Sequence, residues 1–521
     1  MNKECFNYFE FIDFNGAKLH TSICLPKKEG KFPTVIMRTP YVDSFENTDP
    51  LEMANIVFDV FADYVKAGYA LVYQHCRGRG LSSGDCIPYI NEREDGLNLQ
   101  EWVRHQSFYN GEIYLSGGSY TSSVHFVTAP FADDIKGAVL QVQDTERYNC
   151  NYRNGFYKVG LHGGWYVGMY KNKTMPKKNY VPESYNLLPL SDFSKSVFGE
   201  NAADFDEILR HPDKNDPFWD TRFGGGEARH AVKNAKIPIL LVTGFYDIFT
   251  GGVFDMWKEL DESRKSSCAL LVHPYDHGNY AEGQPIVFDD ASTNKVFGNY
   301  AVKWLDHIRG KCDSPIEKGK VTYYKVFGNE WCIDDFETPK KELNFSLGEG
   351  ERTYVYNPFA PATFKGGLSA NFGGNCWQDE PNSRYDILSF FTPEFDADTF
   401  VKGKMKVKLR VRSDCEDTCF YVRLSLTKNN KYYGLRDDIN QISNFTSNYI
   451  PGDAIDMSFE FDEHAFVVKK GEKIRIDISS SAFPLYVRHT NNKGLFSTQT
   501  TAKIAKNTII LNESSITLFV E

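Results

Sequence analysis

Ile113-Tyr114-Leu115-Ser116-Gly117-Gly118-Ser119-Tyr120-Thr121-Ser122 is the stretch whose reading decides the fold. An apolar run leads in, two glycines precede a serine, and a helix-compatible segment follows. This is the strand–turn–helix order of a nucleophile elbow. The serine of such an elbow sits on a strained turn that lifts its oxygen clear of the sheet, so its neighbours must be small. The general spacing is G-x-S-x-G. Gly117 fits the first glycine, and Thr121 stands where the second is expected. Other parts of the chain must therefore supply the rest of an acyl-transfer site.

Working outward, the first 145 residues alternate strand and helix. Short apolar strands are predicted at Thr34–Arg38, Tyr69–Gln74, Glu112–Ser116 and Gly137–Gln143, with helices at Ile56–Ala67 and Glu92–His105. Such alternation predicts a mainly parallel α/β sheet with helices on both faces. Residues 146–235 are aromatic without strand periodicity, which predicts an inserted helical cap over the sheet edge where ligands bind. Alternation resumes through residues 236–314, with strands at Ile237–Thr243 and Ala269–His273 and helices at Val253–Leu260 and Asn299–Ile308. Residues 315–521 read as β-strands with Gly and Asn turns, a pattern that predicts a jelly-roll β-sandwich.

At 521 residues the chain is too long for one core. Its net charge of −10 and lack of a basic stripe argue against nucleic-acid or anionic-membrane partners. No apolar run is long enough to span a bilayer. The 11 cysteines are odd in number and contain no C-x-x-C pair, which fits reduced thiols in a cytoplasmic protein. The N-terminal residues lack the basic and apolar regions of a secretory signal.

An α/β-hydrolase needs a serine, then an acid, then a histidine in chain order. Asp247 follows the apolar run Ile239–Val242, and His277 follows Leu270–Val272. Both would open at the sheet edge where Ser119 stands. His277 is the candidate general base, and Asp247 the residue that orients its imidazole. Asp276, beside His277, is the weaker candidate acid. His273 precedes His277 by four residues, but Pro274 breaks any helix that could present both to a metal, and no metal or organic cofactor is called for. The backbone N–H of Tyr120 is the expected first oxyanion donor. Tyr41, after the strand Thr34–Met37, offers a phenol at the same edge or simply packs there.

The set Arg38-Thr39-Pro40-Tyr41, Cys76-Arg77-Gly78-Arg79-Gly80, Gly117-Gly118-Ser119-Tyr120, Gly244-Phe245-Tyr246-Asp247 and His277-Gly278 resembles the cocaine-esterase-like (CocE/NonD) serine hydrolases. These are grouped with X-Pro dipeptidyl-peptidases and α-amino-acid ester hydrolases. The resemblance extends to Phe327-Gly328-Asn329-Glu330-Trp331 and Ser479–Pro484, so it covers nearly the whole chain. It implies an α/β-hydrolase core, a helical cap and a C-terminal jelly roll. It also implies Ser119 as nucleophile, Asp247 and His277 as its partners, and the Tyr41 phenol beside the Tyr120 N–H in the oxyanion hole. In the family's spacing, G-x-S-Y-x-G, the second glycine position falls on Ser122 rather than Thr121. Arg77 and Arg79 read as structural braces of the strand end.

The functional expectation is a serine carboxylesterase acting on a small-molecule ester. An amidase or peptidase on the same triad is the alternative, and a non-catalytic binding protein on a hydrolase fold is a second. The segment after Asp247 is Ile248-Phe249-Thr250-Gly251, with no further acid to hold a substrate ammonium, although Asp144 or Glu146 could substitute. Tyr148, Trp165 and Tyr166 are the cap aromatics expected to line the acyl pocket. The β-rich domain is expected to pack on the core, wall the site and offer a surface for a homodimer.

Overall fold

The structure, a computed structural model, describes residues 5–128, 132–170, 185–221, 225–278, 286–363, 365–367 and 374–521. The N-terminal part is built on a mixed sheet of ten strands. In chain order these are β1 (Phe6–Phe14), β2 (Ala17–Leu25), β3 (Phe32–Thr39), β4 (Ala70–His75), β5 (Tyr109–Gly118) and β6 (Ile135–Gln141). A two-residue-strand hairpin, β7 (Tyr152–Arg153) with β8 (Phe156–Tyr157), lies off this sheet. The sheet continues with β9 (Ile239–Gly244), β10 (Ala269–His273), β11 (Val321–Lys325) and β12 (Glu330–Asp334). Its spatial order is β1-β2-β4-β3-β5-β6-β9-β10-β11-β12.

From β4 through β11 neighbouring strands are parallel. β3 is buried at every residue and β9 likewise. Strands covered on both faces need no polar alternation, which is why they read as continuous apolar runs. Helices α1 (Pro50–Lys66), α2 (Glu92–Arg104) and α3 (Tyr120–Phe126) connect the early strands. Asp49 caps α1, its carboxylate accepting the N–H groups of Leu51 and Glu52.

The parallel arrangement matters for function because β5, β9 and β10 all end on one edge. Ser119 follows β5, Asp247 follows β9 and His277 follows β10.

The core sheet runs past residue 314, where the β-rich part is expected to begin. β11 pairs in parallel with β10 and β12 closes the edge antiparallel. The strand read at Lys320–Phe327 therefore belongs to the hydrolase sheet rather than to a sandwich. β1 and β2, an antiparallel pair at the opposite edge, were not among the predicted strands. Between β6 and β9 the described residues are mostly short helices, Arg147–Asn151 and Gly164–Met169 among them. After β12 the described elements are β-strands, in sheets of seven and five strands, with two short 3-10 turns among them. No helix among the described residues is long and apolar enough to cross a membrane.

Close approaches lock the functional edge. A Cβ on Gly244 would lie 2.2 Å from the Tyr275 carbonyl oxygen and 2.4 Å from the His273 ring. The loops that carry Asp247 and His277 are thus pressed together at a residue without a side chain. Gly244→Ala should destabilise the protein by about 1–3 kcal/mol through overpacking, measured as a lower midpoint in thermal or urea unfolding.

Candidate active site

Ser119 has φ 58° and ψ −132°, a left-handed conformation unusual for a residue with a side chain. The turn is pinned from several sides. The Ser119 N–H donates to the Gln141 carbonyl of β6 at 2.9 Å, and the Ser119 carbonyl accepts from Ser122 and Ser123 at the start of α3. A Cβ on Gly117 would sit 2.3 Å from the Thr121 carbonyl oxygen, so only glycine lets α3 approach β5 this closely. Ser122 is fully buried; its hydroxyl donates to the Gly117 carbonyl at 2.6 Å and accepts the Gln141 N–H at 2.8 Å.

Asp247 is completely buried. Its carboxylate accepts the Phe249 N–H at 2.9 Å and lies 3.2 and 3.3 Å from His277 Nδ1. Asp276 instead accepts the Gly278 N–H through Oδ1 and shapes its own loop. Burial alone would lower the His277 pKa, but the Asp247 charge and hydrogen bond, helped by Asp276, raise it above the usual histidine value. His273 is fully buried, and desolvation pushes its pKa down to about 3. No group of His, Cys, Asp and Glu among the described residues has metal-site geometry.

The Tyr41 hydroxyl lies 3.1 Å from Ser119 Oγ and accepts the Trp165 indole N–H at 3.3 Å. Although Tyr41 is 44% exposed as a residue, enclosure of its hydroxyl end raises its pKa, against hydrogen bonds from Ser119, Trp165 and the Tyr120 backbone. The phenol therefore stays protonated and can donate. Ser119 Oγ bonds to Tyr41 in this arrangement, not to His277.

Ser119, His277, Tyr41 and Tyr120 line one cavity of about 440 Å³. Trp165 lines it too, together with Tyr89, Val142, Leu161, His162, Ile248 and Phe249. Tyr148 and Tyr166 do not. Tyr148 donates its hydroxyl to the Pro212 carbonyl and stacks on Tyr152, while Tyr166 is 1% exposed and packs on Tyr170 and Phe205. Aromatic content points to a packed cap but does not say which ring reaches the cavity.

Tyr89 and Phe249 escaped the sequence reading because both lie on irregular loops, although Phe249 sits two residues after Asp247. The role of Glu92 was equally invisible. Its buried carboxylate accepts the Tyr120 hydroxyl at 2.8 Å and pairs with Arg38 at 2.8 Å, anchoring the residue after Ser119. Arg77 pairs with Asp95 and Arg79 with Asp43, each also holding backbone carbonyls, so both brace the strand ends.

A second cavity of about 380 Å³ shares Leu161 and Ile248 with the first but is polar. Asp144, Tyr148, Arg153, Lys158, Asp438 and Asp462 are among its walls. Glu146 is drawn away to Arg229 at 3.0 Å.

Residues 15–279 match the family model of the X-Pro dipeptidyl-peptidases (S15 family), and residues 334–516 match the C-terminal non-catalytic domain of the same enzymes. The chain belongs to the S15 family. It is a serine hydrolase. Cocaine esterase from Rhodococcus sp. (strain MB1 Bresler) is 23% identical over 551 residues, covering 92% of this chain and 91% of that protein. In fold, the chain is similar to an aminopeptidase from a marine sediment Thaumarchaeota archaeon, with TM-score 0.82 at 17% identity over 99% of this chain and 96% of that one. An α-amino acid ester hydrolase superposes with TM-score 0.81 at 18% identity, covering 99% and 97%.

The raised His277 pKa has a checkable consequence. A histidine held above its unfolded value of 6.5 adds stability that is complete below that pH and is lost as pH rises through the folded pKa. By NMR, the His277 ring should titrate above 6.5, and Asp247→Asn should move that midpoint downward.

Proposed function

We propose that this protein is a carboxylesterase working through an acyl-enzyme on Ser119. Ser119 Oγ attacks the ester carbonyl while His277 takes its proton as general base. Asp247 holds the Nδ1 proton and stabilises the imidazolium that forms. The Tyr41 hydroxyl and the Tyr120 N–H receive the developing oxyanion. His277 then returns the proton to the leaving alcohol, and a water activated by the same imidazole releases the acid.

The observation that carries this reading is the meeting, in one cavity, of an Asp247–His277 pair with a strained serine hydrogen-bonded to a protonated phenol. The ester preference is supported by the lining of that cavity. Among the described residues its walls are aromatic and aliphatic side chains with no Asp or Glu, so none of these would hold a substrate ammonium. Asp144 belongs to the neighbouring polar cavity instead. A peptidase or amidase reading stands second, favoured by the S15 match and the similarity to an archaeal aminopeptidase. Amide hydrolysis uses the same triad, with His277 protonating a leaving amine.

A fluorophosphonate probe should label the folded wild-type protein and fail to label Ser119→Ala. Absence of labelling in the wild type would instead support a binding protein on a hydrolase fold. Tyr41→Phe should lower kcat for an aryl ester by about 10²- to 10³-fold with a much smaller change in KM. Faster turnover of aminoacyl or prolyl amides than of esters with the same acyl group would reject the esterase assignment in favour of a peptidase.

A further inference from the structure

The catalytic cavity contains one polar side chain that the reaction above does not use and the protein does not satisfy. His162 lies on a π-helical turn, Val159–Gly163, that runs directly into the helix bearing Trp165. Such turns recur at functional sites because the widened ladder re-aims a side chain. His162 is 7% exposed and lines the cavity. Neither of its ring nitrogens has a hydrogen-bond partner. Buried polar groups in native structures are nearly always hydrogen-bonded, and a group that the protein leaves unpaired is open to a water or a ligand. Gln143, the amide side chain among the described wall residues, is engaged, its Oε1 accepting the Asp144 N–H at 3.1 Å.

The position of His162 relative to the chemistry is defined by Trp165. The indole donates to the Tyr41 hydroxyl, and its ring centroid lies 5.2 Å from that of His162. Trp165 also packs 5.6 Å from Tyr120 and 5.8 Å from Tyr89. An acyl group on Ser119 that lay along the Trp165 and Tyr89 rings would approach the His162 imidazole, which lines the same cavity. Aromatic faces of this kind favour a flat ring.

The electrostatics narrow the substituent. Burial, then the charges of Lys158 and Arg147, hold the His162 pKa down to about 3, so the imidazole is neutral with one donor and one acceptor. Both cations are themselves buried; the Lys158 ammonium donates to the Asn149 carbonyl at 2.6 Å, and the Arg147 guanidinium lies 4.3 Å from the centre of the Tyr89 ring. Asp144 and Asp462 partly offset Lys158 from a greater distance. A substrate ammonium would be repelled here, whereas a hydroxyl oxygen is suited to the site. Both nitrogens are shielded in the present rotamer; a half-turn of the ring about χ2 exchanges its nitrogen and carbon edges, and a hydroxyl bound in the cavity would meet the nitrogen that this turn presents.

We propose that His162 reads an oxygen substituent on the acyl group, making esters of hydroxylated aromatic acids the preferred substrates. The inference takes its acyl group from the esterase reading and goes beyond it in naming the substrate class and the residue that selects it.

The test compares p-nitrophenyl benzoate with its 3-hydroxy and 4-hydroxy analogues on the wild type, His162→Phe and His162→Gln. In the wild type, kcat/KM should favour at least one hydroxylated ester by about 10- to 100-fold. His162→Phe should bring that ratio close to unity, and His162→Gln, which keeps a donor and an acceptor, should recover part of it. Fluorophosphonate labelling of Ser119 reports that each variant is folded. A ratio near one in the wild type, or one unchanged in His162→Phe, overturns the proposal. Binding of the free acids to Ser119→Ala, with and without His162→Phe, is measured by calorimetry and needs no turnover. If no ester is hydrolysed, the esterase reading fails, while tighter binding of the hydroxylated acid that depends on His162 still supports the subsite. Equal affinities for the two acids reject it.

Discussion

The site depends on a single backbone conformation. Ser119 occupies a region of φ/ψ space that costs a residue with a side chain about 1–3 kcal/mol, and it holds only because its surroundings leave no alternative. The Gln141 carbonyl captures its N–H, the first turn of α3 captures its carbonyl, and Gly117 permits the contact with Thr121. Each of these requires β5 and β6 to be parallel neighbours with a helix returning immediately after the turn. The parallel sheet is thus what makes the strained serine affordable, and the same sheet delivers Asp247 and His277 to the edge where the serine stands.

The second level of organisation lies between the parts of the chain. Arg153, on the cap hairpin, pairs with Asp438 at 2.8 Å and Asp462 at 2.9 Å, both in the C-terminal β part. Asp462 also packs against Gly251, where a Cβ would come within 2.6 Å of its Oδ1. Gly251 is the second residue of the helix Thr250–Lys258, which directly follows the Asp247 loop. Tyr246, next to Asp247, donates its hydroxyl to the Gly434 carbonyl of the β part. Removing one partner of a buried, hydrogen-bonded charge pair typically costs about 3–5 kcal/mol. The β part therefore buttresses the Asp247 loop from behind, while none of its described residues lines the Ser119 cavity.

Much of the core was legible because a strand buried on both faces leaves an unbroken apolar signature. β3, β4, β9 and β10 were all readable in this way, and the chemistry-bearing residues sit directly after such runs. Strands without that signature were harder to place. β1 is exposed or half-buried along most of its length and so lacks it. β11 has it, but sequence alone could not say which sheet it joins. Acyl-pocket residues were the least legible, since Tyr148 and Trp165 are both aromatic residues of one cap. Only tertiary packing sends Trp165 to the Ser119 cavity and Tyr148 onto the face of Tyr152 and against the edge-on ring of Trp219. Glu92 illustrates the same limit, because a carboxylate in the first turn of a helix reads as a favourable charge there and gives no hint of an anchored phenol.

Ser122 stands where the resemblance leads one to expect glycine, and its hydroxyl ties the Gly117 carbonyl to the Gln141 N–H. A side chain that looks like a tolerated blemish is thus a cross-strand fastener at the root of the elbow. Redesign by family averaging would replace it with glycine and would gain freedom where this chain has rigidity. The residues that such averaging flags as deviant are, in this molecule, places to look for compensating bonds before correcting anything.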